Sequence, residues 1–129
     1  MIAVDTNLLV RLLTKDDPSQ AKRAAKVIES DNIFIPKTVM LETEWVLRHA
    51  YGIGKEAILS GFQKMMGLSN VRVEDQQSVF QAISWHESGL DFADALHLAS
   101  SMKADKFVTF DKTFIKKARQ FISIDIALP

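Results

Sequence analysis

The stretch MIAVDTNLLVRLL, residues 1–13, decides the fold, because a short apolar run ends in an acid and passes at once into a helix-like pattern. We predict a strand at Ile2–Val4 and a short helix around Leu8–Leu13. Asp5 lies at the junction, where a carboxylate can cap the helix. The same order of short apolar strand and helix recurs along the chain. This alternation indicates an α/β sandwich with a mainly parallel sheet.

The other predicted elements follow the same alternation. They are a helix from Pro18 to about Glu29, a strand at Ile33–Ile35, helices at Thr38–Ala50 and Lys55–Met66, a brief strand at Val71–Val73, helices at Gln76–His86 and Asp91–Met102, a strand at Phe107–Phe110, a helix to about Arg119 and a last strand at Phe121–Ile124. No repeat or low-complexity linker interrupts this order. We therefore expect residues 1–129 to form a single domain.

Composition narrows the class of protein. The chain is 47% hydrophobic and 25% charged, which is ordinary for a globular protein. Its 16 acids balance its 16 Lys and Arg residues, so bulk charge does not indicate nucleic-acid binding. The absence of cysteine excludes disulfides and thiolate metal sites and fits a cytoplasmic location. No apolar run approaches the ~20 residues of a membrane span, and the start MIAVDTN lacks the basic region of a secretory signal.

Four acids lie in or beside apolar runs, where acidic residues are uncommon. They are Asp5 after MIAV, Glu42 within TVMLETEWVL, Asp94 within FADALHLAS and Asp111 after FVTF. An unpaired buried charge is costly, so four such acids predict one shared acidic pocket. A pocket of carboxylates suits a hard divalent cation, Mg²⁺ with Mn²⁺ as a substitute. Such a cation supports phosphodiester hydrolysis, and Thr6, Asn7 and Thr109 would orient the acids.

Each acid also has a simpler structural explanation. Asp5 and Asp111 precede helices and could be N-caps, a role that leaves an oxygen for a metal. Asp94 is expected to be buried, because apolar residues surround it in its helix and Asp is a poor helix-interior residue. Asp91 is equally well explained as a helix cap or as a further acid of the pocket. His97 is expected to be a packed histidine rather than a ligand.

Glu42 and Glu44 are two residues apart on one predicted helix and therefore face nearly opposite ways. Glu44 precedes Arg48 by four residues, the favourable order for an ion pair, so we expect a surface ion pair there. Glu42 lies on the side of Val39 and Trp45 and is expected to face the core and the pocket. Trp45 itself, like Trp85 and the phenylalanines, is expected to pack in the core.

The segment Lys112–Arg119, KTFIKKAR, carries four positive charges and no acid. It could form a basic rim beside the pocket. A solvated helix face explains the charge run equally simply and is the commoner case.

Four segments, VDTNLLVRLL, IPKTVMLETEWVLR, DFADALHLA and VTFD, together resemble PIN-domain proteins, in order and over essentially the whole chain. More narrowly, they resemble the VapC toxins of bacterial and archaeal toxin–antitoxin pairs. The acidic positions of that family fall on Asp5, Glu42, Asp94 and Asp111. Four further residues match supporting positions of the family, namely Thr6, Asn7, Asp91 and Thr109.

The resemblance implies a PIN-like three-layer α/β/α sandwich and a Mg²⁺-dependent endoribonuclease that cuts structured RNA such as tRNA or rRNA. It also implies a homodimer that a VapB-like antitoxin inhibits. A catalytically silent PIN-like binding module remains an alternative. A receiver-like signalling domain fits less well, because the second strand ends in Ile35-Pro36 without an acid. A haloacid-dehalogenase-like phosphatase would need a second acid where Asn7 stands.

Overall fold

The computed structural model describes every residue from Met1 to Pro129. In chain order the elements are β1 (Ile2–Ala3), α1 (Thr6–Thr14), α2 (Pro18–Ser30), β2 (Ile33–Ile35), α3 (Lys37–His49), α4 (Lys55–Met66), β3 (Val71–Val73), α5 (Gln76–Glu87), α6 (Phe92–Ala99), β4 (Lys106–Val108), α7 (Lys112–Ala118) and β5 (Asp125–Ala127). The chain forms two compact units, Met1–Gln76 and Gln77–Pro129. None of the helices is both long and apolar enough to cross a membrane.

The first unit contains a parallel three-stranded sheet in the order β1-β2-β3. Ile2 pairs with Ile33, and Ile33 pairs in turn with Val71. The central strand is buried at both of its ends, at Ile33 and Ile35. The unit's helices bury several large apolar side chains almost completely, among them Leu9, Met40, Leu47 and Phe62.

The second unit contains a parallel pair of strands, β4 and β5, in which Lys106 lies opposite Asp125. Its helices bury Val79, Phe92 and Leu98. The short apolar strands, the helices between them and the parallel pairing confirm the predicted PIN-like α/β class. The expectation of a single domain over residues 1–129 stays a prediction.

Three predicted elements of the second unit have wrong bounds. Strand β4 ends at Val108 rather than at Phe110. The last strand is β5 at Asp125–Ala127 and not Phe121–Ile124. Phe121 instead lies in the turn after α7 and stacks on Trp85, with ring centroids 6.5 Å apart. Helix α6 ends at Ala99 rather than Met102, and the hydroxyl of Ser101 bonds to the carbonyl oxygen of His97 at 2.7 Å.

Candidate active site

Asp5 stands between β1 and the first turn of α1. Its Oδ1 accepts a hydrogen bond from the backbone N–H of Leu8 at 3.0 Å, so it is the N-cap of α1. The carboxylate is exposed, and the capping bond uses only one of its oxygens. The cap predicted from the sequence is therefore confirmed, and Asp5 can still present an oxygen to a ligand.

Thr6 connects the start of α1 to α3. Its buried hydroxyl donates a short hydrogen bond to Oε1 of Glu42. This bond fixes the direction of one carboxylate oxygen of Glu42, the orienting role expected for Thr6. Asn7 follows on the exposed side of α1, and its amide makes no hydrogen bond to either acid. Of the candidate acids in the first unit, Asp5 is thus a helix cap and Glu42 is held by a hydrogen bond.

The two glutamates of α3 differ in solvent exposure in the opposite direction to the one predicted. Glu42 is exposed, whereas Glu44 is only 1% exposed. The predicted ion pair exists, with Nε of Arg48 2.7 Å from Oε2 of Glu44, but it is not a surface pair. Glu42 does share a side of the helix with Trp45, and that side faces outward, since Trp45 is 55% exposed. The expectations of a core-facing Glu42 and a buried Trp45 were therefore wrong.

Two of the candidate acids in the second unit adjoin the start of α6. Oδ2 of Asp91 accepts from the backbone N–H of Asp94 at 3.2 Å, so Asp91 is the N-cap of that helix. Asp94 lies in the first turn and is half-buried rather than fully buried as predicted. His97 follows one turn later and is exposed, which corrects the expectation of a packed histidine. Trp85, in contrast, is buried as expected.

Asp94 has a pKa above the usual range of an aspartate. Burial raises the pKa of Asp94, and the negative charges of Asp91 and Asp111 raise it further, while His97 lowers it. Asp91 and Asp111 therefore each lie near enough to Asp94 for their charges to disfavour its ionised form. The expected pocket that also includes Asp5 and Glu42 stays a prediction, and the partial exposure of Asp94 differs from the expectation of a buried acid.

Asp111 is the third acid of the second unit and the N-cap of α7. Its Oδ1 accepts from the backbone N–H of Phe114 at 2.9 Å. Its own backbone N–H donates to the hydroxyl of Thr109 at 3.1 Å. Thr109 therefore holds the backbone of the acid rather than its carboxylate. The cap prediction is confirmed, and the supporting position of Thr109 gains a structural explanation.

The candidate residues offer only oxygen ligands apart from His97, and this donor set fits Mg²⁺ or Mn²⁺. No group of three or more His, Asp or Glu side chains is arranged for coordination in the structure. The repulsion that Asp91 and Asp111 each exert on the charge of Asp94 is the feature that fits a divalent cation, because a nearby positive charge would relieve it.

Sequence reasoning missed one exposed residue beside this group. Phe110 was expected in the core with the other phenylalanines, yet it is 84% exposed. It lies directly between Thr109 and Asp111. Val108, two residues earlier, is also exposed, but the apolar run FVTF gives no sign of either exposure.

The chain belongs to the PIN domain family, whose model matches residues 2–120. A comparison with curated proteins finds no match. PIN domains are typically nucleases. Membership of this family therefore supports a nuclease activity, that is, a hydrolase that acts on nucleic acid. Nucleases of this family typically use divalent metals.

Proposed function

We propose that this protein is a divalent-metal-dependent endoribonuclease that cuts structured RNA, with tRNA and rRNA as the expected substrates. Asp5, Glu42, Asp94 and Asp111 are its catalytic and metal-binding carboxylates, and Mg²⁺ is its ion, with Mn²⁺ as a substitute. The observation that carries the proposal is the crowding of Asp91, Asp94 and Asp111 in a chain of the PIN family.

The protein's own residues would position the reaction. A bound divalent cation supplies positive charge that activates water and offsets the charge of the phosphate. Asp5 and Asp111 are fixed by their capping bonds, and the hydroxyl of Thr6 fixes Glu42. Preorganised carboxylates of this kind lose little conformational entropy when they bind a ligand. Asp91 would serve by capping α6 and by adding negative charge beside Asp94.

The biological role we propose is that of a VapC-type toxin inhibited by a VapB-like antitoxin. The resemblance of the four acidic segments to that group supports this role. We also propose a homodimer. Trp45, Phe80 and Met102 are large apolar side chains exposed to solvent, and such residues often contact protein partners. The apolar residues of α4, by contrast, are buried within the first unit and do not support a dimer surface.

A cleavage assay with matched variants tests the proposed activity. Purified protein should cut structured RNA with Mg²⁺ or Mn²⁺, and EDTA should stop cleavage. Asp5→Asn and Asp94→Asn should lower the rate by orders of magnitude. Asp17→Asn is the matched control, because Asp17 caps α2 as Asp5 caps α1 but is not a candidate acid. Cleavage that persists in EDTA, or equal losses for Asp17→Asn and Asp5→Asn, would refute the proposal.

Growth measurements test the biological role separately. Expression of the wild type should arrest growth, and expression of the Asp94→Asn variant should not. Co-expression with an antitoxin encoded beside this gene should restore growth and yield a complex that co-purifies. Equal growth inhibition by the wild type and by Asp94→Asn would show that toxicity does not depend on the carboxylates. RNA binding without cleavage by the wild type would instead support a silent binding module.

A further inference from the structure

Phe110 differs from its aromatic neighbours in the second unit. Phe107 and Phe114 pack against each other with ring centroids 5.6 Å apart, and Phe114 is buried. Phe110 lies between them in sequence, yet it has the highest exposure of the large hydrophobic residues, at 84%. Single exposed apolar residues are common on protein surfaces, so exposure alone does not indicate a function.

The backbone on both sides of Phe110 is held in place. The N–H of Thr109 donates to the carbonyl oxygen of Ala127 at 3.1 Å, which continues the pairing of β4 with β5. The N–H of Asp111 donates to the hydroxyl of Thr109, and the carboxylate of Asp111 caps α7. The aromatic ring is therefore presented from a fixed backbone immediately before a candidate catalytic acid. A side chain presented in this way loses little conformational entropy on binding.

Helix α7, which follows Phe110 in the sequence, carries positively charged side chains. A surface pocket of about 410 Å³ is lined by Lys112, Ile115, Lys116, Arg119 and Leu128. Arg119 donates to the carbonyl oxygen of Ile126 at 2.8 Å, and Lys112 and Lys116 are exposed beside it. A second hollow on the same helix includes Lys117. Neither lining contains an acid, and apolar groups with lysines suit a nucleotide and its phosphate.

We propose that Phe110 is a substrate-positioning residue that stacks on one unpaired RNA base, while Lys112 and Lys116 hold the adjacent phosphates. Single-stranded nucleic acid is commonly bound by aromatic stacking combined with a cationic groove. A base inside a duplex is already stacked on both faces and could not cover the ring. The inference rests on the proposed ribonuclease function and adds that the nucleotide bound beside Asp111 is unpaired. The lysines favour RNA over an apolar protein partner, which would leave them without counter-charge.

Binding measurements on the full chain test this inference. All variants carry Asp94→Asn, so that the RNA is not consumed, and Mg²⁺ is present throughout. The probe is a short single-stranded RNA that contains a fluorescent purine analogue, with a duplex of the same sequence for comparison. Phe110→Ala should weaken binding of the single strand roughly ten-fold and abolish quenching of the analogue by stacking. Phe110→Trp should retain both, whereas Phe110→Leu should behave like Phe110→Ala.

Matched surface variants separate stacking and phosphate contacts from general effects. Phe80→Ala removes another exposed phenylalanine of the same unit and should change neither signal. The double variant Lys112→Gln/Lys116→Gln should reduce the salt dependence of binding by a slope of about two. The double variant Lys22→Gln/Lys26→Gln removes two exposed lysines of α2 and should leave that slope unchanged. Melting curves of each variant confirm that the fold is retained.

The outcomes distinguish this inference from the proposed function. If the wild type cuts RNA, and Phe110→Ala leaves binding unchanged in the Asp94→Asn background and cleavage unchanged in the wild-type background, the stacking role is wrong and the nuclease function stands. If Phe110→Ala weakened binding of the single strand and of the duplex equally, the proposal that Phe110 stacks on an unpaired base would also be wrong. If Phe110→Ala spares RNA binding but disrupts a dimer or a co-purifying complex, the ring is a protein contact. A wild type that neither binds nor cuts RNA would refute the proposed function itself.

Discussion

Removal of Arg48 should destabilise the protein more than removal of the charge on Glu44. Glu44 is almost fully buried and depends on Arg48 for its counter-charge, whereas the side chain of Arg48 is 37% exposed and can be hydrated. We expect Arg48→Met to lower the free energy of unfolding by about 3 kcal/mol or more, and Glu44→Gln by roughly 1–2 kcal/mol. Urea titrations measure both. A larger loss for Glu44→Gln would contradict the burial of this pair.

The exposure of individual side chains on α3 is the property that the sequence predicted least well. The four-residue spacing of Glu44 and Arg48 predicted their ion pair, because spacing along a helix fixes which side chains are neighbours. It did not predict which side of α3 faces the core. Apolar residues occur on both sides of that helix, so Trp45 and Leu47 gave contradictory signals. Packing decides in favour of the side with Met40 and Leu47, and Glu42 is left at the surface.

At the scale of the element, Asp5 should affect stability and activity through different properties. Its cap on α1 needs a hydrogen-bond acceptor, while metal binding needs a charge. Asp5→Asn should therefore keep stability within a few tenths of a kcal/mol, and Asp5→Ala should lose about 1 kcal/mol. Both variants should be inactive. Thermal melts paired with cleavage assays measure the two properties, and an Asp5→Asn variant that is active would contradict a metal-binding role.

The turn between α1 and α2 should make a pH-dependent contribution to stability. The hydroxyl of Tyr51 donates to Oδ2 of Asp16 at 2.7 Å, and this bond is the largest cause of the lowered pKa of Asp16, followed by Thr14 and Arg11. A lowered folded-state pKa stabilises the protein above the usual carboxyl range. That stability is lost as the pH falls through the lowered value.

Tyr51→Phe tests this contribution. The variant should melt below the wild type at neutral pH, and the difference should shrink as the pH falls below about 4. The effect should be small, because the ion pair of Arg11 and Asp16 is solvent-exposed. In an Asp16→Asn background, Tyr51→Phe should show no such pH dependence. A difference in melting temperature that grows as the pH falls would contradict the predicted direction of this effect.

Among the elements, long amphipathic helices and central strands were the most predictable from sequence. The bounds of α4 and β2 agree with the prediction to the residue. The last strand was misplaced because FISI and DIAL are both short apolar segments, and only tertiary pairing selects between them. Asp125 and Ile126 pair with β4, while the ring of Phe121 stacks on the ring of Trp85. Local pattern carries no information about such competition.

At the scale of the whole molecule, the charge of Asp94 should oppose folding in the absence of metal. Because the pKa of Asp94 is raised in the folded state, its ionised form is disfavoured there relative to the unfolded chain. Asp94→Asn should therefore melt higher than the wild type in EDTA. Added Mg²⁺ should stabilise the wild type and should stabilise the variant much less.

Paired melts in EDTA and in excess Mg²⁺ measure this prediction. Glu87→Gln, which removes an exposed acid of the same unit, is the control and should respond to Mg²⁺ like the wild type. If Asp94→Asn melts clearly lower in EDTA and both proteins respond equally to Mg²⁺, then Asp94 is a structural acid. The metal-binding proposal would then lose the acid whose pKa supports it.

The fold class could be predicted from the sequence because strand and helix periods are local properties. The candidate acids could be chosen because they interrupt apolar runs. What could not be predicted is the pKa of Asp94, since it depends on how far folding buries this acid and then on the charges of Asp91 and Asp111. The exposure of Phe110 was hidden for a related reason. Its sequence neighbourhood is apolar, and only the packing of Phe107 on Phe114 leaves it outside.

Three of the candidate acids, Asp5, Asp91 and Asp111, also cap helices, and this has a genetic consequence. An Asp codon becomes an Asn codon by one transition, and Asn is as good a cap as Asp. Where expression arrests growth, surviving colonies should therefore carry Asn alleles at these codons. Their products should accumulate to normal amounts on immunoblots. Ala alleles should give weaker bands, because proteases remove the less stable chains.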